Sequence, residues 1–313
     1  MNIAFFGSPE IAKEILESIH NEFPVSFVVT QPDKPVGRKK EITSTPVKQF
    51  AIQKNIHVST DSSIVRTIEL FKYQSIDLAI VVAYGVIIPK ELLDIPPYGF
   101  INVHYSFLPQ YRGASPVQSA ILNGDTETGV TIMKMDEELD HGEIISQQKI
   151  AIDQNDTTES LLNKLTELSK PLMIETIKYI QEHYAFPTLT TQDHTQATYC
   201  SRISKQDAFV EFEYITEALK GDELKVKLLY NKIRAYDPWP NVWTTLPNGK
   251  RCKIIKSVIP ENKASRKSIA TDSRFPACRQ ARRGNDKGFQ ITEIQIEGKQ
   301  PTEDSNLINN LFR

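Results

Sequence analysis

The sequence is poor in the residues that staple or metallate a small protein. Three cysteines occur among 313 residues, Cys200, Cys252 and Cys278. They are odd in number and widely spaced, so neither a disulfide framework nor a zinc ligand set is visible. Such a chain is expected in a reducing cytoplasm. Long apolar runs are also missing, and none approaches the roughly 20 residues that a membrane-spanning helix needs. The start runs from Met1 straight into a strand-like Asn2-Ile-Ala-Phe-Phe6, with no basic segment leading into an apolar one, and does not read as a secretory signal. Glycine is scarce where a dinucleotide-binding chain needs it. Gly7 closes the first strand, but the second and third glycines of a G-x-G-x-x-G fingerprint are absent. No serine or cysteine stands in a nucleophile elbow, which argues against a covalent acyl-enzyme.

What is present suits two domains. Charge is uneven: residues 1–200 carry 16 Lys+Arg against 25 Asp+Glu, and residues 201–313 carry 21 against 14. The basic second part either meets a polyanion or is simply a Lys-rich solvated domain. The opening reads strand, Gly7-Ser8-Pro9 turn, helix from Glu10 to His20, with Ser8 as N-cap, then a strand over Val25–Val29. That is the start of a doubly wound, mostly parallel α/β fold. Residues 31–45 read as a loop too long and charged for a plain connection. Lys34, Arg38, Lys39 and Lys40 cluster there, either solvated or as a phosphate-contacting arm.

The most informative stretch runs from Ala83 to Asp140. The apolar run Leu78–Ala83 reads as a buried parallel strand. In Phe100-Ile-Asn-Val-His104, Asn102 and His104 are two apart and share one face of a strand. An amide and an imidazole at the carboxyl end of such a strand can stabilise an oxyanion and move a proton. Asp140, in a Leu-Asp-His-Gly turn, is placed to project toward the same edge. Asp136, Glu137, Glu138, Asp140 and Glu143 form an acidic cluster without His or Cys at metal-ligand spacing, so no metal is expected.

Taken in order, Asn-Val-His, Ser106-Phe-Leu-Pro109, Tyr-Arg112-Gly, Glu127-Thr-Gly-Val-Thr and Leu-Asp140-His-Gly resemble the folate-dependent formyltransferases. Thr30-Gln-Pro-Asp-Lys-Pro-Val-Gly-Arg-Lys-Lys40 and Ile233-Arg-Ala-Tyr-Asp-Pro-Trp-Pro240 resemble the members that act on methionyl-tRNA. The resemblance covers nearly the whole chain. It implies a formyltransferase fold over 1–188, a linker over 189–203 and an OB-like barrel over 204–313. It implies 10-formyltetrahydrofolate as donor, initiator methionyl-tRNA as acceptor, and action as a monomer. Asn102, His104 and Asp140 would be catalytic. Ser106, Phe107, Leu108, Pro109 and the Val86, Ile87, Ile88 segment would wall the folate pocket, although the 86–88 residues serve equally well as core. Lys34, Arg38, Lys39 and Lys40 would contact tRNA. Two departures stand out: Phe107 replaces the usual Leu, and a bulky Tyr105 replaces a small residue. Acceptors of other kinds remain open, an amino-sugar nucleotide or glycinamide ribonucleotide among them, as does an inactive tRNA-binding protein.

Downstream, Asp156-Thr-Thr-Glu159 reads as a cap for a helix over Ser160–Glu182 that Pro171 should kink or divide. The Thr/Gln-rich Phe186–Tyr199 reads as linker. A helix over Tyr214–Ala235, broken near Gly221-Asp222, precedes strands at Val242–Leu246, Arg251–Val258 and Phe289–Ile296. Residues 261–288 are cation-rich, lack strand alternation and are atypical of the family.

Overall fold

The computed structural model describes residues 1–37, 40–60, 64–259 and 288–312. Arg38, Lys39 and nearly all of the atypical 261–288 segment lie outside the described residues. The chain forms two compact units, Met1–Ala120 with Asp125–Ile203, and Ile121–Gly124 with Ser204–Arg313.

The first unit is built on seven strands: β1 Ile3–Gly7, β2 Val25–Val29, β5 His57–Ser59, β6 Leu78–Val82, β7 Phe100–His104, β9 Glu127–Lys134 and β10 Ile144–Ala151. Their order is β10-β9-β7-β6-β1-β2-β5. β7, β6, β1, β2 and β5 pair in parallel, whereas β9 is antiparallel to both β7 and β10. β1 and β6 are buried at every position, which is why both read as unbroken apolar runs. On one face Ala4, Phe6, Phe27, Val29, Ala79, Val81 and Phe100 join Phe71 of α3 (Ile64–Gln74) and Leu92 and Leu93 of α4 (Lys90–Leu93). Helix α1 (Glu10–Glu22) buries Ala12, Ile15, Leu16 and Ile19 and packs on β1, β6 and α6 (Thr158–His183). That spacing is one helical stripe. Ile15, Leu16 and Ile19 each contribute about 1.5–3 kcal/mol relative to exposure.

Several expectations need correction. Pro9 is the N-cap of α1 and makes no side-chain cap bond. Ser8 instead uses its hydroxyl to accept from the Gln31 N–H at 3.2 Å, tying the end of β1 to the end of β2. The 31–45 stretch contains a hairpin, in which β3 (Lys34–Val36) pairs antiparallel with β4 (Glu41–Thr43). Helix α2 (Pro46–Gln53) follows, with Thr45 accepting from the Lys48 N–H. Strand β10 went unread because an edge strand needs little apolar surface, and only Ile145 along it is buried. Helix α6 runs through Pro171 as one element. Residues that face the core on both sides of the proline, Leu165 and Ser169 before it, Met173 and Ile177 after it, keep one side continuous.

The segment read as a linker belongs to the first unit. Thr190 bridges to Ile144 of β10. β11 (Tyr199–Cys200) pairs in parallel with β8 (Arg112–Gly113). Gly113 permits this close approach, since a Cβ there would stand 2.2 Å from the Cys200 carbonyl oxygen.

The second unit contains α7 (Phe212–Leu219) and α8 (Glu223–Ala235), separated at Gly221 and Asp222 as the sequence suggests. Strands β12 (Val242–Thr245), β13 (Arg251–Val258) and β14 (Gln290–Ile296) form an antiparallel sheet, and α9 (Ser305–Leu311) follows. The expected small barrel is represented, among the described residues, by these three strands.

Candidate active site

Phe100, Asn102 and His104 occupy alternate positions of β7 and so share a face. Phe100 stacks on Phe71 in the core. Asn102 and His104 continue that face to the carboxyl end of the strand, where open α/β sheets place their ligands. Asp140 arrives on the turn between β9 and β10. Its backbone is left-handed, with φ of 49°. Gly142 lets the turn lie against β9, because a Cβ there would stand 1.9 Å from the Lys134 carbonyl oxygen.

The three side chains meet. Asp140 Oδ1 lies 3.5 Å from His104 Nδ1 and 3.4 Å from Asn102 Nδ2. Its other oxygen, Oδ2, accepts from the Gly113 N–H at 2.7 Å. The two side-chain approaches are looser than an optimal hydrogen bond, so the main-chain contact is what fixes the carboxylate. His104 Nε2 lies 2.9 Å from the Tyr111 carbonyl oxygen. A proton on either ring nitrogen therefore has an oxygen to meet. His104 and Asp140 side chains are 6% and 10% exposed, dry enough for their electrostatic interactions to exceed those in bulk water.

The folate-wall residues divide into two kinds. Ser106 and Leu108 are buried and hold the loop. The Ser106 carbonyl accepts from Thr131 Oγ1 at 2.7 Å, Thr131 Oγ1 accepts from the Leu108 N–H at 3.2 Å, and the Leu108 carbonyl accepts from Gln147 Nε2 at 2.9 Å. Phe107 is partly exposed, with the Lys149 ammonium 5.0 Å from its ring centroid. On the loop leaving neighbouring β6, Val86 and Ile87 are exposed while Ile88 belongs to the core with Phe100, Leu92 and Leu93. Tyr105 faces the opposite way from His104. Its hydroxyl bonds Thr166 of α6 at 2.9 Å, and burial pushes its pKa up to about 12.

Among the cations of the hairpin, Lys34 bonds Gln31 Oε1 and Lys40 is exposed. His141 pairs through Nδ1 with Asp136 at 2.6 Å and stacks on His194 with centroids 4.0 Å apart. Among the described residues no group of three or more His, Cys, Asp or Glu is arranged to hold a metal ion. Cys200 is buried, and burial pushes its thiol pKa up, away from thiolate chemistry.

Four participants escaped the sequence. The Gly113 N–H and the Tyr111 carbonyl are main-chain groups, which carry no signal in residue type. Arg112 was visible only as part of a motif. Gln192, 52 positions beyond Asp140, donates from Nε2 to the Asp140 carbonyl at 3.0 Å and sat in what read as linker.

The sheet with its Asn-His-Asp cluster, and the second unit after it, belong to a chain that the family models place among the formyl transferases. Residues 1–177 match the formyl transferase family model, and residues 223–311 match the formyl transferase C-terminal domain model. A methionyl-tRNA formyltransferase from Caldicellulosiruptor saccharolyticus is 42% identical over 259 residues, covering 81% of this chain and 78% of the relative. Another from Kosmotoga olearia is 39% identical over 309 residues, covering 96% and 93%. The chain belongs to the methionyl-tRNA formyltransferase family. Its fold is shared by WlaRD, a sugar 3N-formyl transferase solved with dTDP and 5-N-formyl-THF, at a TM-score of 0.61 and 21% identity over 96% of this chain and 99% of that one. It is shared also by HypX from Aquifex aeolicus in complex with tetrahydrofolic acid, at a TM-score of 0.60 and 15% identity over 100% of this chain and 48% of that one. No helix among the described residues is long and apolar enough to cross a membrane.

Proposed function

We propose that this protein transfers the formyl group of 10-formyltetrahydrofolate to the α-amine of methionine carried by initiator tRNA. The observation that carries the proposal is the meeting of Asn102, His104 and Asp140 at the carboxyl end of β7, in a chain so similar to methionyl-tRNA formyltransferases. The amine nitrogen attacks the formyl carbon, and the bond from that carbon to the folate nitrogen breaks. Negative charge gathers on the formyl oxygen between the two steps. Asn102 Nδ2 and the His104 ring supply hydrogen bonds to it, each such donor accounting for about 10² to 10³ in rate. His104 exchanges its bond to the Tyr111 carbonyl for one to the substrate and hands a proton to the departing folate nitrogen. Asp140 holds the imidazole in orientation and, through water, takes the proton that the amine sheds.

The donor fits the residues present. Val86, Ile87 and Phe107 offer apolar surface on loops that leave adjacent strands, suited to a flat heteroaromatic ring, while Ser106 and Leu108 fix the loop beside it. Lys34, Arg38, Lys39 and Lys40, clustered in the sequence between residues 31 and 45, are the tRNA-contacting cations. The second unit adds a basic face. Trp243 and Lys253 are opposite one another on β12 and β13, and the Arg251 guanidinium lies 3.9 Å from the Trp243 ring centroid. The protein acts as a cytoplasmic monomer.

The test offers methionyl-tRNA, glycinamide ribonucleotide and an amino-sugar nucleotide in parallel, with 10-formyltetrahydrofolate as donor. Formylation confined to methionyl-tRNA is the expected result. Preference for either small amine would replace the acceptor, and no transfer to any of the three would leave a binding protein.

A further inference from the structure

Arg112 is 2% exposed, and the side chains it bonds, Gln192, His194 and Tyr199, carry no carboxylate. A guanidinium cannot shed its proton in a protein, so a buried one requires a firm set of acceptors. Gln192, itself 4% exposed, supplies the main one. Its Oε1 accepts from Arg112 Nε at 3.2 Å and from Nη2 at 2.7 Å. Nη2 also meets His194 Nδ1 at 2.8 Å, and Nη1 reaches the Tyr199 hydroxyl at 3.5 Å. The other end of the same amide points into the Asp140 turn. Gln192 Nε2 donates to the Asp140 carbonyl at 3.0 Å and to the Gly142 carbonyl at 2.7 Å.

These contacts close a ring. Arg112 holds Gln192, Gln192 holds the main chain of the Asp140 turn, and the Asp140 carboxylate returns to the N–H of Gly113, the residue after Arg112. The turn needs such a hold. Asp140 sits in a left-handed conformation, which a non-glycine residue keeps only where its surroundings hold it there. Its carboxylate makes only loose approaches to His104 and Asn102, so a small rotation of the turn would separate them. We infer that Gln192, anchored by Arg112, is a positioning residue that holds the Asp140 turn so that its carboxylate faces His104. This rests on the role given to Asp140 in the proposed reaction.

The amide is the chemically required group, because one end must accept and the other must donate. Glutamate would keep the guanidinium partner and gain a charge, yet it would set a carboxylate oxygen against two carbonyl oxygens. Gln192→Glu therefore releases the turn while preserving the Arg112 contact. Gln192→Met removes both contacts at similar volume. A displacement of about 1 Å at a reacting group can cost 10²-fold in rate. Each variant is expected to lower kcat by about 10- to 100-fold, with KM for methionyl-tRNA and for 10-formyltetrahydrofolate changed less than about twofold.

The deciding experiment is a double-mutant cycle in the full-length protein, measuring kcat for wild type, Asp140→Asn, Gln192→Glu and the pair, with Gln192→Met alongside and thermal unfolding as fold control. If Gln192 works through Asp140, its substitution loses its effect once Asp140 is already asparagine. Multiplying effects in folded variants would overturn the inference while leaving Asp140 in the reaction. Near-normal turnover of Asp140→Asn would remove Asp140 from the reaction and the inference with it. Loss of fold in both Gln192 variants would show a structural prop and overturn it as well.

Discussion

Tyr105 follows His104 by one residue and points to the other side of the sheet, where its ring is buried and its hydroxyl meets Thr166. The bulk that looked like a departure at the pocket is therefore spent on the contact with α6. Tyr105→Phe should cost about 1 kcal/mol in urea unfolding, the worth of a buried hydrogen bond, and leave kcat unchanged. The same side chain sets an alkaline limit. Burial, opposed only in part by the Thr166 bond, pushes its pKa up to about 12, against about 10 for an unfolded tyrosine. The native state thus keeps a proton that the unfolded state loses. The contribution is complete below pH ~10 and disappears as pH rises through about 12. Urea midpoints measured from pH 9 to 12 should fall less steeply for Tyr105→Phe than for wild type. At the chemistry itself, His104→Ala should lower kcat by at least about 10² while affinity for a folate analogue stays put. Near-normal turnover would take His104 out of the mechanism. Asn102 and His104 were legible because a strand imposes a period of two, and Asp140 because a polar residue followed an apolar run. Gln192 was not legible, since a buried glutamine and a solvated one are the same letter in a Thr/Gln-rich stretch.

Elements were read best where their burial is complete. β1 and β6 announce themselves as apolar runs, whereas β10 at the sheet edge and the short β3–β4 hairpin do not, because exposed strands impose little pattern. The hairpin changes how its cations are presented. Lys34 lies on a paired strand instead of a free loop. Arg38→Ala should raise KM for methionyl-tRNA and flatten its salt dependence, with KM for the folate donor unchanged. Rates at several salt concentrations that superpose on wild type would return the 34–40 segment to a solvated role. Helix α6 begins with a reciprocal cap between Thr157 and Ser160, and Asp156 beside it is buried. Burial alone would raise the Asp156 pKa. Its bonds with Lys164, the Asp153 N–H and Ser160 outweigh that, and the net shift is downward. A lowered carboxyl stabilises the fold above its unfolded value near pH 4 and loses that contribution as pH falls through the native value. Asp156→Asn should therefore destabilise at pH 7 by about 1–3 kcal/mol, and the gap to wild type should narrow on acidification below about pH 4. A gap independent of pH would assign the effect to packing.

Across the whole chain, charge is divided as the sequence says: the acidic part carries the proposed site and the basic part follows. On the second unit's sheet, the Lys253 pKa is lowered by burial and by the nearby cations Arg251 and Lys205. A phosphate placed there would relieve that crowding. Lys253→Ala should weaken tRNA binding and reduce the slope of log affinity against log salt by about one, without touching turnover at saturating tRNA. An unchanged slope would place the polyanion elsewhere. The two-domain plan was legible from the change of pattern near residue 203. The allegiance of residues 189–203 was not, because their ties to Ile144, Arg112 and Gly113 join segments far apart in the sequence. Those ties set where the protein can be recombined. A cassette ending with α6 would carry Asn102, His104 and Asp140 into a chimaera intact, yet leave Gln192 and the Tyr199–Cys200 strand behind. The natural seam for exchanging the second unit therefore lies after Ile203, and a graft made a dozen residues earlier inherits the proposed catalytic side chains without the amide proposed to aim them.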